Sequence, residues 1–417
     1  MAAIEIFPPP PPRRPQHVQI ILLAGAVAML LFPALAGLLR WPEAGNIDEK
    51  RALAPPPDWR SQSLQAWTSG ATRWIDDHFP QRSRLILWNS FIRQRLLQAP
   101  SPLVCIGRDG WLFFAGDNTV EDFLGRDLLS PGELRRCRNA VSGRQAWLKQ
   151  RGIAYLLVVV PNKSTIYPEY MPALLRAGHR PGKLDQLLAD LRVHTDVPVL
   201  DLRPALLAAK SDHILYWPWD AHWNGYGHLL ACQEILGALR AERLEAGSAD
   251  SERWVRVVSR ERFFDCVDLL GLRGHWPVTP VPMVYLTPPP DLYFTPTRLT
   301  DRSPWKDFPE WKKIIATERT SARGRAVMFG DSFFRDGGIP RNDLTHLPLS
   351  LEFRRFVSIW DTVDYDGLAA AVKLEKPDVV IEQVTERLFR SDLPQDAPEW
   401  EAARIASSHP EAVTRER

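Results

Sequence analysis

The stretch YLLVVVP, residues 155–161, decides the fold class. Aromatic and apolar residues follow one another without interruption and stop at a proline, a pattern typical of a strand buried on both faces of a parallel sheet. A helix is predicted just before it, from Pro131 to Arg151, with Ser130 as the N-cap and Gly152 beyond the last turn. A buried strand that follows such a helix indicates an α/β protein.

The same alternation continues along the chain. Strands are predicted at PVLDL (198–202), AVMFGDSFF (326–334) and DVVIEQV (378–384), with helical patterns at 182–194 and 368–376. Repeated units of this kind favour a layered α/β fold with a mainly parallel sheet.

Two segments depart from this alternation. VCIGRDGWLFFAGD (104–117) places apolar and aromatic runs on either side of Arg-Asp-Gly, which predicts a β-hairpin. Residues 277–310 are rich in proline and aromatic residues, and they predict a long irregular insertion that borders a cleft.

Residues 18–39, VQIILLAGAVAMLLFPALAGLL, contain no charged residue. As a helix they would extend about 33 Å, close to the hydrocarbon thickness of a bilayer, so they predict one transmembrane anchor. A cleaved signal peptide is the competing interpretation, because Ala34-Leu35-Ala36 fits the small-residue cleavage pattern. Basic residues flank the segment on both sides and do not settle its orientation. A short tail before a large domain nevertheless favours an exported main body, periplasmic or extracellular.

Composition indicates the remaining divisions of the chain. Residues 1–17 contain five consecutive prolines and predict a disordered tail. Residues 40–100 are predicted to be a linker and helical region, residues 101–395 the main α/β domain, and residues 396–417 a polar tail.

Lys and Arg number 52 against 50 Asp and Glu. A balance so close to zero gives no support for nucleic acid as a partner, because such a partner needs a clustered basic face. The cysteines lack the spacing of a structural zinc site, and we predict neither a metal nor a cofactor. Export would permit disulfides, and three full pairings remain open among Cys105, Cys137, Cys232 and Cys266.

The segment FGDSFF, residues 329–334, lies at the end of a predicted buried strand. Open α/β sheets bind ligands at the carboxyl ends of parallel strands, and Gly330 permits a sharp turn there. Ser332 would then expose its hydroxyl, with its backbone N–H free to donate to an oxyanion. Asp331 is predicted to order this turn through hydrogen bonds to the backbone.

A second polar cluster is WPWDAHWNGYGH, residues 217–228. A serine becomes nucleophilic when a base accepts its proton and a third group holds that base in the correct tautomer. Asp220 and His222 supply both partners if an extended backbone projects them to one side, with the second ring nitrogen facing Ser332. A metal site of Asp220, His222 and His228 is an alternative, but its spacing matches no common ligand motif and leaves Ser332 unexplained. A purely structural polar cluster also remains open.

These motifs together resemble the SGNH hydrolase-like domain of the alginate acetylation proteins AlgJ and AlgX. The resemblance spans roughly residues 47–395. It is carried, in chain order, by NIDEKRALAPPP, DDHFPQR, RDGWLFF, PNKSTIYPE, DAHWN, FGDSF and VVIEQVTERL. It implies an SGNH hydrolase-like three-layer α/β fold and a triad of Ser332, His222 and Asp220.

The family resemblance also implies a function. It predicts an O-acetyltransferase for an exported polysaccharide, alginate or a similar polymer, that works through an acetyl-serine intermediate. The expected partners are the polysaccharide acceptor and a multipass membrane-bound O-acyltransferase that supplies acetyl groups. The expected location is the bacterial inner membrane, with a single span and the catalytic domain in the periplasm. A polysaccharide acetyl esterase with the same triad, or a non-catalytic component of the secretion complex, remains an alternative.

Four further residues are candidate substrate contacts. Trp223 is predicted to wall the site or to stack on a sugar ring. Asn224 either donates to an oxyanion or caps the helix that begins near Gly225. Lys163 and Tyr167 follow the buried strand and are predicted to line the cleft.

Overall fold

The structure of the chain is a computed structural model. It describes residues 16–42, 53–58, 63–92, 101–241, 254–258, 264–272, 276, 282–286, 292–295, 313–335, 347–394 and 398–402. The predicted tail at 1–17 and the polar tail at 396–417 lie mostly outside these residues. The described residues divide between two compact units, residues 1–99 with 268–273 and residues 100–267 with 274–417. The boundaries predicted from composition stay a prediction.

The helices and strands alternate along most of the chain. The strands are β1 (Val104–Ile106), β2 (Leu112–Phe114), β3 (Ala154–Val160), β4 (Val199–Asp201), β5 (Trp254–Val258), β6 (Pro282–Leu286), β7 (Leu292–Thr295), β8 (Lys313–Arg319), β9 (Arg323–Gly330), β10 (Phe353–Trp360) and β11 (Val379–Thr385). The helices are α1 (Gln16–Leu38), α2 (Leu64–His78), α3 (Arg82–Phe91), α4 (Thr119–Phe123), α5 (Pro131–Lys149), α6 (Lys163–Ile166), α7 (Ala173–Ala177), α8 (Lys183–His194), α9 (Arg203–Ala209), α10 (Gly225–Ala241), α11 (Asp265–Leu269), α12 (Ser332–Arg335), α13 (Leu347–Ser350), α14 (Tyr365–Glu375) and α15 (Phe389–Asp392).

Among the described residues, seven strands form one sheet in the order β4-β3-β11-β9-β10-β8-β7. The pairs from β4 to β10 are all parallel, whereas β10 with β8 and β8 with β7 are antiparallel. The predicted parallel sheet is therefore confirmed in its central part, and the sheet as a whole is mixed. The carboxyl ends of β3, β9 and β11 meet at one edge, because Thr385 pairs with Val160 and Glu382 with Phe329.

Helices cover both faces of this sheet. On one face, residues of α5, α8 and α14 pack with alternate residues of β3, including Leu157 and Val159. On the other face, α9 and α10 pack with Leu156, Val158 and Val160. The unbroken apolar run of the YLLVVVP stretch arises because both sides of β3 are buried.

The helix before β3 forms as predicted. The Ser130 hydroxyl accepts a hydrogen bond from the N–H of Glu133, whose carboxylate accepts from the N–H of Ser130 in return. Gly152 follows the last turn with φ +69°, a left-handed conformation that glycine adopts without strain.

The two segments predicted to depart from the alternation have different outcomes. The hairpin is confirmed, because β1 and β2 pair antiparallel with Val104 opposite Phe114. The prediction that residues 277–310 are irregular is wrong in part, because β6 and β7 lie within them. β6 pairs with β5, and β7 adds an antiparallel edge to the main sheet. The prediction that this segment borders a cleft falls mostly on residues outside those described, and it stays a prediction.

The unit formed by residues 1–99 and 268–273 contains α1, α2 and α3. Ser63 caps α2 by accepting a hydrogen bond from the N–H of Ala66. No helix in the described part of the chain combines the length and the apolar character needed to cross a membrane. The anchor expected at residues 18–39 stays a prediction.

The four cysteines are free thiols. None of the three pairings left open by the sequence is present. Cys137, Cys232 and Cys266 are buried, and Cys105 is partly buried.

One buried ion pair ties α5 to the centre of the sheet. The Arg144 guanidinium donates to Glu382 Oε1 at 2.6 Å and to the carbonyl oxygens of Val363 and Leu393 at 2.9 Å. The hydroxyl of Tyr155 donates to the other Glu382 oxygen at 2.6 Å. Breaking such a pair on one side is costly, because the remaining charge stays buried without its partner.

We expect Arg144→Met to lower the free energy of unfolding by about 3–5 kcal/mol, because Glu382 would keep its burial but lose its cation. Arg126→Met is the matched control, since Arg126 and Glu121 lie 3.6 Å apart with side chains 67% and 51% exposed. An exposed pair is worth about 1 kcal/mol or less. Urea denaturation measures both, and an equal loss in the two variants would contradict the assignment.

Candidate functional site

Ser332 begins α12 directly after the carboxyl end of β9. A Cβ at position 330 would lie 2.8 Å from Gln383 Oε1, so a larger residue than Gly330 would require the Gln383 side chain to shift. That oxygen accepts the backbone N–H of Asp331 at 2.9 Å. A shift of the Gln383 side chain would disturb this hydrogen bond, which favours glycine at position 330.

The turn that carries Ser332 is held by its neighbour. Asp331 Oδ1 accepts the N–H of Phe333 at 2.9 Å, and Asp331 Oδ2 accepts the N–H of Thr385 at 3.1 Å and also its hydroxyl. The prediction that Asp331 orders the turn is confirmed, and Asp331 also connects the ends of β9 and β11. The backbone N–H of Ser332 has no acceptor within the described part of the chain, so it is available to an oxyanion.

Asp220 and His222 lie in a tight loop between Tyr216 and Trp223, which pair as an isolated β-bridge. Inside the loop, the N–H of Trp217 donates to the carbonyl of His222 at 3.1 Å. The extended backbone expected here is therefore wrong, since the segment bends. The bend itself brings the side chains together, because Asp220 Oδ1 accepts the backbone N–H of His222 at 2.9 Å.

The three side chains of the predicted triad form one hydrogen-bonded chain. His222 Nδ1 lies 2.6 Å from Asp220 Oδ1, and His222 Nε2 lies 2.7 Å from Ser332 Oγ. A carboxylate only accepts, so Nδ1 carries the ring proton and Nε2 presents a lone pair to the serine hydroxyl. The side chains of His222 and Asp220 are 16% and 6% exposed. This arrangement can remove a proton from Ser332.

Opposing effects act on the pKa of His222. Burial of the ring lowers it, but the negative charges of Asp220 and Asp265 outweigh burial, and the pKa is raised above its ordinary value of 6.5. Arg387 opposes the shift from the other side. Its guanidinium lies 5.6 Å from the ring centroid of Phe333 and 3.4 Å from Asp117.

Lys163 does not line a cleft, because its side chain is buried. Its ammonium donates to the carbonyl oxygens of Trp217, Pro218 and Asp220 at 3.0, 3.1 and 2.7 Å, and also to that of Leu112. Burial lowers the pKa of this lysine. The prediction of substrate contact is wrong, and Lys163 instead fastens the Asp220 loop to the hairpin.

Trp223 is fully buried, so its ring offers no face to a sugar. Its indole N–H donates to the carbonyl of Phe333 at 2.9 Å, and its ring meets that of Phe333 edge-on at 5.1 Å. The predicted substrate contact is corrected, since Trp223 links the His222 loop to the Ser332 turn. The burial comes from packing against Tyr216, Phe333 and Phe334.

Asn224 is also fully buried and does not reach a substrate. Its Oδ1 accepts the N–H groups of Tyr226 and Gly227 at 2.9 and 3.2 Å, and its Nδ2 donates to the carbonyl of Ile214. Of the two roles considered for Asn224, the cap of α10 is confirmed.

Tyr167 and His228 serve the packing around the loop. The Tyr167 hydroxyl oxygen accepts the N–H of Leu215 at 2.9 Å, and the ring is buried, so the expected cleft contact is wrong. His228 is buried in α10, and burial lowers its pKa to about 3. It therefore stays neutral at physiological pH and serves the packing of α10.

Asp265 is a member of the site that the sequence did not indicate. It begins α11, more than forty residues after Asp220, and belongs to no motif that we recognised. Its Oδ1 accepts the N–H of Ala221 at 2.8 Å, and its Oδ2 lies 3.5 Å from His222 Nδ1. Only the folded chain brings it to the loop.

The group of side chains that could hold a metal in the structure differs from the group predicted from the sequence. Among the described residues, one group of His, Cys, Asp and Glu places its ligand atoms within 4.8 Å of one another, and it consists of Asp220, His222 and Asp265. His228 is not part of it. A cation bound there would compete with the 2.6 Å hydrogen bond that orients the His222 ring. Hydrogen bonds among these groups already account for their positions.

Comparison with known proteins agrees with the fold. Residues 104–281 match the family model for the SGNH hydrolase-like domain of the acetyltransferase AlgX. Two relatives are named probable alginate O-acetylase AlgJ. The protein of Pseudomonas syringae pv. tomato is 30% identical over 187 residues, 42% of this chain and 43% of the relative. That of Pseudomonas aeruginosa is 29% identical over 188 residues, 45% of each.

The chain thus spans less than half the length of the curated relatives that it matches. Among solved structures, the O-acetyltransferase domain of Pseudomonas putida AlgJ is 20% identical, with a TM-score of 0.48, and covers 73% of this chain and 100% of that one. The segment matched by the family model includes Asp220, His222 and Asp265, whereas Ser332 lies beyond it. The resemblance drawn from the motifs is confirmed by these matches: residues 104–281 are similar to the SGNH hydrolase-like domain of the acetyltransferase AlgX, and part of the chain is similar in sequence to AlgJ.

Proposed function

We propose that this chain is an O-acetyltransferase that moves acetyl groups onto hydroxyls of an exported polysaccharide through an acetyl-serine intermediate. The observation that carries the proposal is the hydrogen-bonded chain from Ser332 Oγ through His222 to Asp220, with links of 2.7 and 2.6 Å. A nucleophile, a base and an orienting carboxylate in this order are what acyl transfer requires.

The first step loads the acetyl group. Ser332 Oγ attacks the carbonyl carbon of an acetyl donor while His222 Nε2 takes the serine proton. The backbone N–H of Ser332 faces the oxyanion that develops on the carbonyl oxygen. The donor's leaving group departs with the proton from His222, and Ser332 is left as an acetyl ester.

The second step passes the acetyl group to the acceptor. A sugar hydroxyl gives its proton to His222 Nε2 and attacks the acetyl-serine carbonyl, after which the Ser332 oxygen leaves and recovers that proton. Asp220 stays ionised throughout and stabilises the imidazolium formed in each half. Transfer in place of hydrolysis requires the sugar to displace water from the site.

The names of the relatives support the proposed acceptor, and the motif resemblance supports the proposed donor. The names of the matched relatives specify alginate, so we propose alginate or a similar polymer as the acceptor. The donor partner proposed from the family resemblance is a multipass membrane-bound O-acyltransferase. Such a pair would place acetyl transfer on the outer side of the bacterial inner membrane.

Residues 18–39 are proposed as a single-pass anchor that keeps the catalytic domain in the periplasm. The support is the surface of α1, whose exposed side chains are apolar and include Ile20, Leu23, Leu30 and Leu38, at 66%, 67%, 79% and 80% exposure. Exposed apolar surface of this extent is typical of membrane or protein contacts, and this supports the proposed anchor. Membrane fractionation of the full chain tests the anchor, and recovery in the soluble periplasmic fraction would contradict it.

Two other functions use the same observations. An acetyl esterase would employ the same triad and hand the acetyl group to water. A non-catalytic component of the secretion complex would retain the fold without using the triad. The intact hydrogen-bonded chain favours the two catalytic functions over the third.

Incubation with an activated acetyl ester, with and without alginate oligosaccharides, distinguishes them. We expect the oligosaccharide to divert acetyl groups from free acetate into sugar esters, and Ser332→Ala to abolish both products because it removes the nucleophile. Ser211→Ala, an exposed serine outside the site, is the control and should keep full activity. Acetate release at a rate independent of the acceptor would identify an esterase. Activity in Ser332→Ala would exclude both the acetyltransferase and the esterase.

The rate of acetylation of Ser332 should rise with pH and reach half its plateau above pH 6.5. The reason is that only neutral His222 accepts the serine proton, and its pKa is raised in the folded chain. The same proton stabilises the folded state below pH 6.5, and this contribution is lost as pH rises through the raised pKa. A pH series of stopped-flow measurements checks the midpoint, and a midpoint well below 6.5 would contradict the assigned base.

Asp220→Asn should lower the acetylation rate about 10⁴-fold, because an amide at this position favours the wrong tautomer of His222. The exposed Asp366→Asn, in α14, is the matched control. A loss of less than tenfold in Asp220→Asn would show that Asp220 does not orient the base. Circular dichroism of the purified variants separates this effect from unfolding.

A further inference from the structure

Asp265 makes three approaches to the Asp220 and His222 pair. Its backbone N–H donates to Asp220 Oδ2 at 3.1 Å, and its Oδ1 accepts the N–H of Ala221 at 2.8 Å. Its Oδ2 lies 3.5 Å from His222 Nδ1. These contacts engage the backbone between the two triad residues as well as both of their side chains.

The two carboxylate oxygens of Asp220 have different hydrogen-bond partners. Oδ2 is held by the backbone of Asp265, so Oδ1 is left facing the ring and backbone N–H groups of His222. A second carboxylate then stands beside the same ring nitrogen. When Ser332 gives up its proton, the imidazolium lies against two negative charges, and opposite charges within about 4–6 Å favour the protonated ring.

We propose that Asp265 is a positioning residue for acyl transfer, which fixes Asp220 through its backbone N–H and adds a second negative charge beside His222. This role rests on the proposed function, since it concerns the same base. It acts through Asp220 and His222 and involves no contact with the acetyl group. No bond to substrate is made or broken by Asp265.

Charged and titratable groups surround this cluster from several elements. Asp220 lies in the loop, Cys266 follows Asp265 in α11, Lys163 approaches from the turn after β3, and Arg387 acts on His222 from the segment after β11. Burial and then the charge of Asp220 raise the pKa of Asp265 to about 6. Asp265 is therefore charged at neutral pH and loses its charge on acidification through pH 6.

The ionised form of Asp265 lowers the stability of the folded state relative to the protonated form. A carboxyl whose pKa is raised in the folded state stabilises that state only while protonated, and the contribution is lost as pH rises through about 6. Asp265→Asn should therefore melt at the same temperature as the wild type, or higher, above that pH.

The test follows the labelling of Ser332 by a fluorophosphonate probe across a pH series, using the full chain. Labelling needs the base but neither the natural donor nor the polymer. The acid limb is the pH range over which the labelling rate rises to its plateau. We expect Asp265→Asn to lower the midpoint of this limb by about one pH unit, because the protonated ring of His222 loses a stabilising negative charge. Its plateau should fall about tenfold, as a charge beside the imidazolium is removed.

Three variants make the result specific. Asp265→Glu retains the charge, so its acid limb should stay near that of the wild type even if its plateau falls. Asp366→Asn removes an exposed acid outside the site and should change neither the limb nor the plateau. Ser332→Ala should not be labelled.

Coincident acid limbs for the wild type and Asp265→Asn would overturn the proposal, and so would equal shifts in Asp265→Asn and Asp265→Glu. If Ser332→Ala were labelled as fast as the wild type, the proposed function would fail and this inference with it. The two failures are distinguishable, because Asp265 can fail while labelling remains dependent on Ser332.

Discussion

A buried ammonium group holds the loop on which the proposed chemistry depends. Lys163 donates to carbonyl oxygens of Trp217, Pro218 and Asp220, and these are the residues that lead into His222. Carbonyl groups buried without a donor would each cost about 1–3 kcal/mol, so the hydrogen bonds from Lys163 stabilise the loop in this position. Because Lys163 comes shortly after β3, its hydrogen bonds fix the position of the loop relative to that strand of the sheet.

The Ser332 turn is fixed to the same sheet by independent contacts. Asp331 connects it to Thr385 at the end of β11, and the indole of Trp223 reaches across to the carbonyl of Phe333. Base and nucleophile thus come from distant parts of the chain but share one edge of the sheet, where parallel strands end. Their separation of 2.7 Å depends on this common frame.

The sequence predicted the fold class and the three partners of the hydrogen-bonded chain, because each carries a local signal. The apolar run of β3 reports burial on both faces, and Asp220 and His222 stand only two positions apart. The roles of Lys163 and Trp223 were not predictable, since a lysine or tryptophan near a site looks the same in sequence whether it faces a cleft or the core. Asp265 was missed because the contact is entirely tertiary. The strands within 277–310 were missed because Pro282 begins β6 and further prolines flank both strands, which masks the strand pattern.

The proposed mechanism requires Ser332 to carry the acetyl group between donor and acceptor. Peptide mapping by mass spectrometry, after brief incubation with an activated acetyl ester and an acid quench, locates that group. We expect one acetyl group, on the peptide that contains Ser332, and none on the corresponding peptide of a chain in which His222 is replaced by alanine. Acetylation confined to lysines or to another serine, with the Ser332 peptide unmodified, would contradict it.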